Sequence, residues 1–205
     1  MGGWNRNGAG ARITRASQLD VPPGCRRAVF SGFLHPWFSR AVLIRPLTPA
    51  DVALYVPLRR EALERDPLSF GASPDDDRAQ SLDFLREVLE DPDQAIFGAF
   101  APELVGVASI FRERMTKARH KTRIWGVYVG PTHRGAGLGK RLMQAAIDFA
   151  RGLPGVSQVH LVVSSGTPAA KALYRSLGFR TWGVEPQALC INGELLDDEH
   201  MVKDL

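Results

Sequence analysis

Between residues 123 and 151 an apolar strand pattern runs straight into three alternate glycines and then into a helical pattern, an order that few folds accommodate. The stretch reads Trp125-Gly126-Val127-Tyr128-Val129-Gly130-Pro131-Thr132-His133-Arg134-Gly135-Ala136-Gly137-Leu138-Gly139-Lys140. Glycine lacks the Cβ that would hold a ligand off the backbone, and it adopts positive φ without strain. Successive N–H groups can therefore turn inward on one anion at the positive end of the helix that follows. Arg134 and Lys140 place full positive charges at the rim, so a diphosphate or longer polyphosphate is the ligand this loop predicts.

Two better-known phosphate loops do not fit. A Walker-type loop needs a glycine four residues ahead of Gly-Lys-Ser/Thr, but here Arg141 follows Gly139-Lys140 and Arg134 holds the first glycine's place. A dinucleotide fingerprint would need glycine where Lys140 stands.

The rest of the chain frames that loop. A short strand is expected over 42–45. A helix follows, with Thr48 as N-cap, Pro49 at the first helical position and Asp51 at the third. It should end near Glu64, kinked at Pro57. A loop covers 66–77 and a second helix 81–90. Strands over 95–100 and 104–111 form a hairpin, and another strand spans 123–129. After the glycine loop, Leu138, Leu142, Ala145, Ala146 and Phe149 mark the apolar face of a helix reaching Arg151. A β-branched strand over 156–163 precedes a helix opened by Pro168 and ended by Gly178. Two final strands, 180–191 and 194–205, meet at Asn192-Gly193. The expected fold is mixed α/β, a mostly antiparallel twisted sheet flanked by helices.

Charge divides the chain. Residues 1–45 hold seven arginines against the single acid Asp20, a surplus of six in a chain of net charge +4. The remainder is slightly acidic, so no nucleic-acid partner is expected. Residues 1–40 read as a poorly ordered basic extension, which is a transit peptide, the product of an upstream start codon or a dispensable tail, ahead of a folded domain over 41–205. No apolar run nears the ~20 residues of a membrane span. Cys25 and Cys190 read as free thiols in a reducing, cytoplasmic setting.

Arg134-Gly135-Ala136-Gly137-Leu138-Gly139 resembles the acyl-CoA signature Arg/Gln-x-x-Gly-x-Gly/Ala of the GCN5-related N-acetyltransferase superfamily. A second segment, Thr167-Pro168-Ala169-Ala170-Lys171-Ala172-Leu173-Tyr174-Arg175-Ser176-Leu177-Gly178-Phe179, is similar to the same family's Asn-x-x-Ala-x-x-Leu-Tyr-x-x-x-Gly-Phe, with Thr167 at the asparagine position. Trp182-Gly183-Val184-Glu185-Pro186 and Asp197–Met201 look like a recurring bacterial branch. The resemblance covers about 42–205.

It implies that the amides from Arg134 to Lys140 hold the diphosphate of acetyl-CoA. Val127, Tyr128 and Val129 would pair through their main chain with its pantetheine arm, beside Thr167 and Ala170. Tyr174 would protonate the departing thiolate. On residues alone, a mid-helix tyrosine beside Leu173 and Leu177 is more often a core aromatic with a wet hydroxyl. The reaction implied is direct transfer of an acetyl group to a primary amine of a small molecule or peptide, with no metal; a non-enzymatic acyl-CoA-binding module is the alternative.

Such a transfer needs a neutral amine, a donor to the thioester oxygen and a proton for the thiolate. The oxygen donor is assigned to a backbone amide at the end of Val127–Val129. Glu113, His120, Glu185, Glu199 and His200 are candidate bases, and none is singled out. Trp125 lines the acceptor pocket or fills the core. Specificity should come from loops at 66–80, 112–121 and 185–199, with Asp75-Asp76-Asp77 either drawing a cationic amine or forming a solvated turn. A homodimer stays open.

Overall fold

The computed structural model describes residues 42–205; the basic extension expected over 1–40, with Cys25, lies outside them. The element order is the expected one: β1 Leu43–Pro46, α1 Val52–Arg65, α2 Leu82–Glu90, β2 Gln94–Phe100, β3 Leu104–Arg112, β4 Lys121–Val129, α3 Leu138–Gly152, β5 Gln158–Ser164, α4 Pro168–Ser176, β6 Arg180–Ile191 and β7 Glu194–Asp204. The strands make one sheet in the order β1-β2-β3-β4-β5-β7-β6. Every neighbouring pair is antiparallel except β4 and β5.

Each face of the sheet buries its own core. On one side Tyr55, Leu58 and Ala62 of α1 and Leu85 and Val88 of α2 pack on Ile96, Val107 and Tyr128. On the other, Met143, Ala146 and Ile147 of α3 pack with Ile110, Ile124, Leu161, Tyr174 and Met201. The buried face of α3 is rotated from the expected one: Met143, Ile147 and Ala150 are buried, while Ala145 and Phe149 are half-buried. Leu138, Leu142 and Ala146 satisfy both assignments, and only the neighbouring sheet decides which flank is covered.

Local chemistry explains most boundaries. A 3-10 turn, Pro49–Asp51, leads into α1, and Thr48 and Asp51 form a capping box at its start, as expected. Asp51 Oδ2 accepts the Thr48 hydroxyl at 2.7 Å and the Thr48 N–H at 2.8 Å, while Arg45 grips both Asp51 oxygens at 2.7 Å. Arg45 first holds the carboxylate well below its ordinary range. Helix α1 continues through Pro57 to Arg65. At the C-terminal hairpin Asn192 and Gly193 both have positive φ, 53° and 83°, the backbone of a two-residue turn that matches strand twist.

One irregularity positions the site. Strand β5 pairs with β4 only from Lys121–Gln158 to Arg123–His160. The β3–β4 register shifts between Val107 and Ser109, and Gly126 sits at φ 64°. An extra residue there bends β4 away from its neighbour, so the sheet's one parallel pair opens into a wedge.

Candidate active site

The glycine loop lies at the end of β4. Gly135 and Gly137 have φ of 79° and 74°, and Gly137 is the left-handed N-cap of α3. No side chain caps the helix, whose first intrahelical bond there runs from Arg141 N–H to Gly137 O at 3.1 Å. The amides of Leu138, Gly139 and Lys140 thus have no helical acceptor. A Cβ at Gly135 or Gly137 would meet nothing within 4 Å. The space in front of the loop is open, and its donors suit a diphosphate. Gly139 differs: a Cβ there would stand 3.3 Å from Leu173 Cδ2, so its glycine lets α3 approach α4.

The two rim cations differ. Lys140 is exposed, without a carboxylate partner among the described residues. Arg134 is not the free charge expected. Its Nε donates to Val129 O at 2.9 Å and its other end pairs with Asp66.

Alternation along β4 presents its main chain to the wedge. Gly130 N–H bonds Val105 O at 2.9 Å, toward β3. The polar groups of Val127 and Val129 then point the other way, where β5 has diverged. Tyr128, two residues from Gly130, turns its own N–H and C=O toward β3. Its ring is buried against α1, and its hydroxyl donates to Glu61 Oε1 at 3.0 Å.

Deeper in the wedge a cleft is lined by Trp125, Gly126, Val127, Ser164, Thr167 and Tyr174, with Ala170 beside them. The Thr167 hydroxyl donates to Ser164 O at 2.8 Å and so is turned toward its own turn. Tyr174 is buried, edge-on to Phe179 at 6.2 Å, and its hydroxyl makes no hydrogen bond among the described residues. Burial pushes its hydroxyl up to about 12, so it stays a phenol at any neutral pH.

None of the five candidate bases lines this cleft. Glu113 pairs with Arg123 at 3.2 Å. Glu199 accepts from Thr181 at 2.8 Å, Lys171 at 3.0 Å and Arg175 at 3.2 Å, and these, Thr181 first, hold it below its ordinary value. Glu185 meets His200 at 3.0 Å. The His120 carbonyl receives Ser157 N–H at 2.9 Å, tying its strand end to β5.

Trp125 is partly buried against the core. It packs against Phe84, 6.2 Å between ring centres, and it lines a cavity of about 480 Å³ next to the cleft. Asp77 is no solvated turn residue: it is buried in an ion pair with Arg59, 2.9 Å away. Arg59, Ser69 and Val162 border the site and carried no motif to announce them. Gly126 did carry one, an isolated glycine within a strand pattern.

A half-open mixed sheet with an anion-binding helix start at the mouth of its wedge defines an acyl-CoA-type N-acyltransferase fold. Residues 58–179 match the Acetyltransferase (GNAT) family, and the chain belongs to that family. It is 34% identical over 110 residues, 54% of its length, to the N-alpha-acetyltransferase RimI of Mycobacterium tuberculosis. The chain spans 66% of that relative and 37% of a Mycobacterium leprae relative. The acetyltransferase of GNAT family from Streptococcus pneumoniae superposes with a TM-score of 0.71 at 26% identity, over 80% of this chain and 99% of that one. The structure of yncA, a putative acetyltransferase from Salmonella typhimurium with its cofactor acetyl-CoA, superposes at 0.69 with 25% identity, over 80% and 94%. Among the described residues no helix is long and apolar enough to cross a membrane.

Proposed function

We propose that the chain moves an acetyl group from acetyl-CoA to a primary amine by direct transfer. The observation that carries this is the cradle itself: two positive-φ glycines, Gly135 and Gly137, open the first turn of α3 onto empty space at the foot of a wedge that holds a buried phenol. Family membership and a neighbour crystallised with acetyl-CoA support the same reading.

Acetyl-CoA supplies an acyl group already activated as a thioester. In this reading the amides from Arg134 through Gly135, Ala136, Gly137, Leu138 and Gly139 to Lys140 take its diphosphate, and the Lys140 ammonium adds charge at the rim. The main chain of Val127 and Val129, on either side of Tyr128, aligns the arm, with Thr167 and Ala170 on the facing wall. A backbone amide at the strand end donates to the carbonyl oxygen as charge builds there. The amine nitrogen forms the new N–C bond, the C–S bond breaks, and the electron pair left on sulfur takes the Tyr174 proton. The amine's own proton leaves to water, in keeping with a cleft that no carboxylate or imidazole lines, and the phenol is restored from solvent.

Titration calorimetry with acetyl-CoA tests the cradle. Gly137→Glu puts a carboxylate and a strained side chain where the diphosphate would lie, and binding should fall at least ~100-fold. Unchanged affinity would remove the assignment.

A further inference from the structure

The cavity beside Trp125 holds polar groups that acetyl transfer as such does not use. Arg59, Phe70, Asp77, Arg78, Phe84 and Trp125 line it, and Trp125 and Gly126 form a wall shared with the Tyr174 cleft. Arg59 is 4% exposed. Its Nε and Nη2 donate to Asp77 at 2.9 and 3.0 Å, but Nη1 is buried without a hydrogen-bond partner. It flanks the absent side chain of Gly126: a Cβ there would lie 3.5 Å from Nη1.

Leaving a charged donor buried and unmatched is costly, so such atoms mark places where a partner arrives from outside. Phe70 and Trp125, 4.8 and 5.7 Å from the Arg59 Cζ, hold the guanidinium plane but offer no acceptor oxygen.

The remaining charge around the cavity decides what that partner is. Asp77 offsets Arg59, and Glu113 offsets Arg123 at 3.2 Å. Asp76 is exposed and accepts the Ser73 N–H at 2.7 Å. Arg78 has no carboxylate within 4.0 Å among the described residues and lies 5.2 Å over the Phe84 ring. The donors without a carboxylate partner, Arg59 Nη1 beside Gly126 and Arg78 over Phe84, therefore stand among aromatic walls.

Resting on the acetyl-transfer reading above, we propose that the acceptor is a carboxylate-bearing primary amine, an α-amino acid with an apolar side chain. Its carboxylate docks on Arg59 Nη1 with Arg78 at the rim, its side chain lies on Phe84 and Trp125, and its amine extends past Gly126 toward the cleft. The planar fork of arginine suits a carboxylate better than a lone carbonyl.

The test uses the full chain, acetyl-CoA and matched triplets: phenylalanine or leucine, the corresponding amide and the decarboxylated amine, with thiol release followed by a chromogenic disulfide. Expected is a kcat/KM for the acid about 100-fold above that for the decarboxylated amine and at least about tenfold above the amide, the range of a charge-assisted hydrogen bond. Arg78→Met and Arg59→Lys, which keeps the charge beside Asp77, should raise KM for the acid about tenfold or more with acetyl-CoA affinity unmoved. An amide or simple amine turned over as fast as the acid would overturn the inference; the first result would point to peptide N-termini and the second to a structural water at Arg59. Acetyl-CoA that binds while no acid is acetylated would overturn it too. Failure to bind acetyl-CoA at all would instead remove the acetyl-transfer reading beneath it. Should Arg59→Lys not fold, the triplet comparison on the unaltered chain and Arg78→Met still decide.

Discussion

At the scale of single residues, chemistry here follows from what a side chain is denied. Tyr174 is buried and makes no hydrogen bond among the described residues, so its phenol keeps its proton until negative charge builds on the sulfur beside it. Tyr174→Phe removes the proton but keeps the ring that packs on Phe179. Turnover should drop by about 100-fold, the usual weight of one acid–base group, with acetyl-CoA affinity within about threefold and the melting temperature preserved. Steady-state rates and calorimetry together check this; a variant as fast as the parent would leave Tyr174 as core filling. Its role was open in the sequence because a tyrosine between two leucines looks the same in either setting. Arg59 was not legible at all. It lies in an ordinary helical run, and its meeting with Asp77, 18 residues on, depends on how a loop folds back.

At the scale of elements, the wedge between β4 and β5 comes from a few backbone angles. Gly126 holds φ 64° at the shift of register, where a Cβ would come into ordinary contact with Arg59 Nη1. Gly126→Val should be strained by that positive φ, costing about 1–3 kcal/mol, and should drive β4 toward regular pairing with β5. Denaturant melts and acetyl-CoA titration of the same sample would show lower stability and weaker binding together. Gly135 has a similar φ of 79° with no neighbour within 4 Å, so Gly135→Ala should cost only the left-handed penalty, about 1 kcal/mol. Equal stability losses in the two variants would mean that packing around Gly126 does not shape the wedge. The glycine loop was readable because its spacing forces a particular backbone; the wedge was not, because one glycine in a strand pattern gives a bulge but not its consequence.

At the scale of the whole molecule, the cores on both faces of the sheet lock every tyrosine of the chain. Tyr55, Tyr128 and Tyr174 all have hydroxyls pushed up to about 12, with burial the first cause in each and the Glu61 carboxylate adding to Tyr128. An unfolded phenol ionises near ~10. Above ~10 the unfolded chain therefore sheds protons that the folded chain keeps. Their contribution to stability is complete below ~pH 10 and is lost as pH climbs from there toward ~12. Thermal melts across that window should show a falling midpoint, and tyrosinate absorbance should rise only with unfolding. Gradual tyrosinate formation in the folded protein at ~pH 10 would show that the cores admit water.

The sequence alone determined the order of elements, the mixed sheet and the glycine loop at the start of α3, because these depend on local preferences: apolar periodicity, proline and glycine dihedrals, and amides freed at a helix start. It also carried the family signature from Arg134 to Gly139. Only the tertiary structure decided which flank of α3 is buried, that Arg45 grips the Asp51 carboxylate, and that Arg134 is tied to Asp66. It alone brought Arg59, Asp77, Trp125 and Gly126 to one cavity. Those outcomes depend on contacts between segments far apart in the chain, and the free energy of such a contact is set by what surrounds it after packing, which no local pattern records.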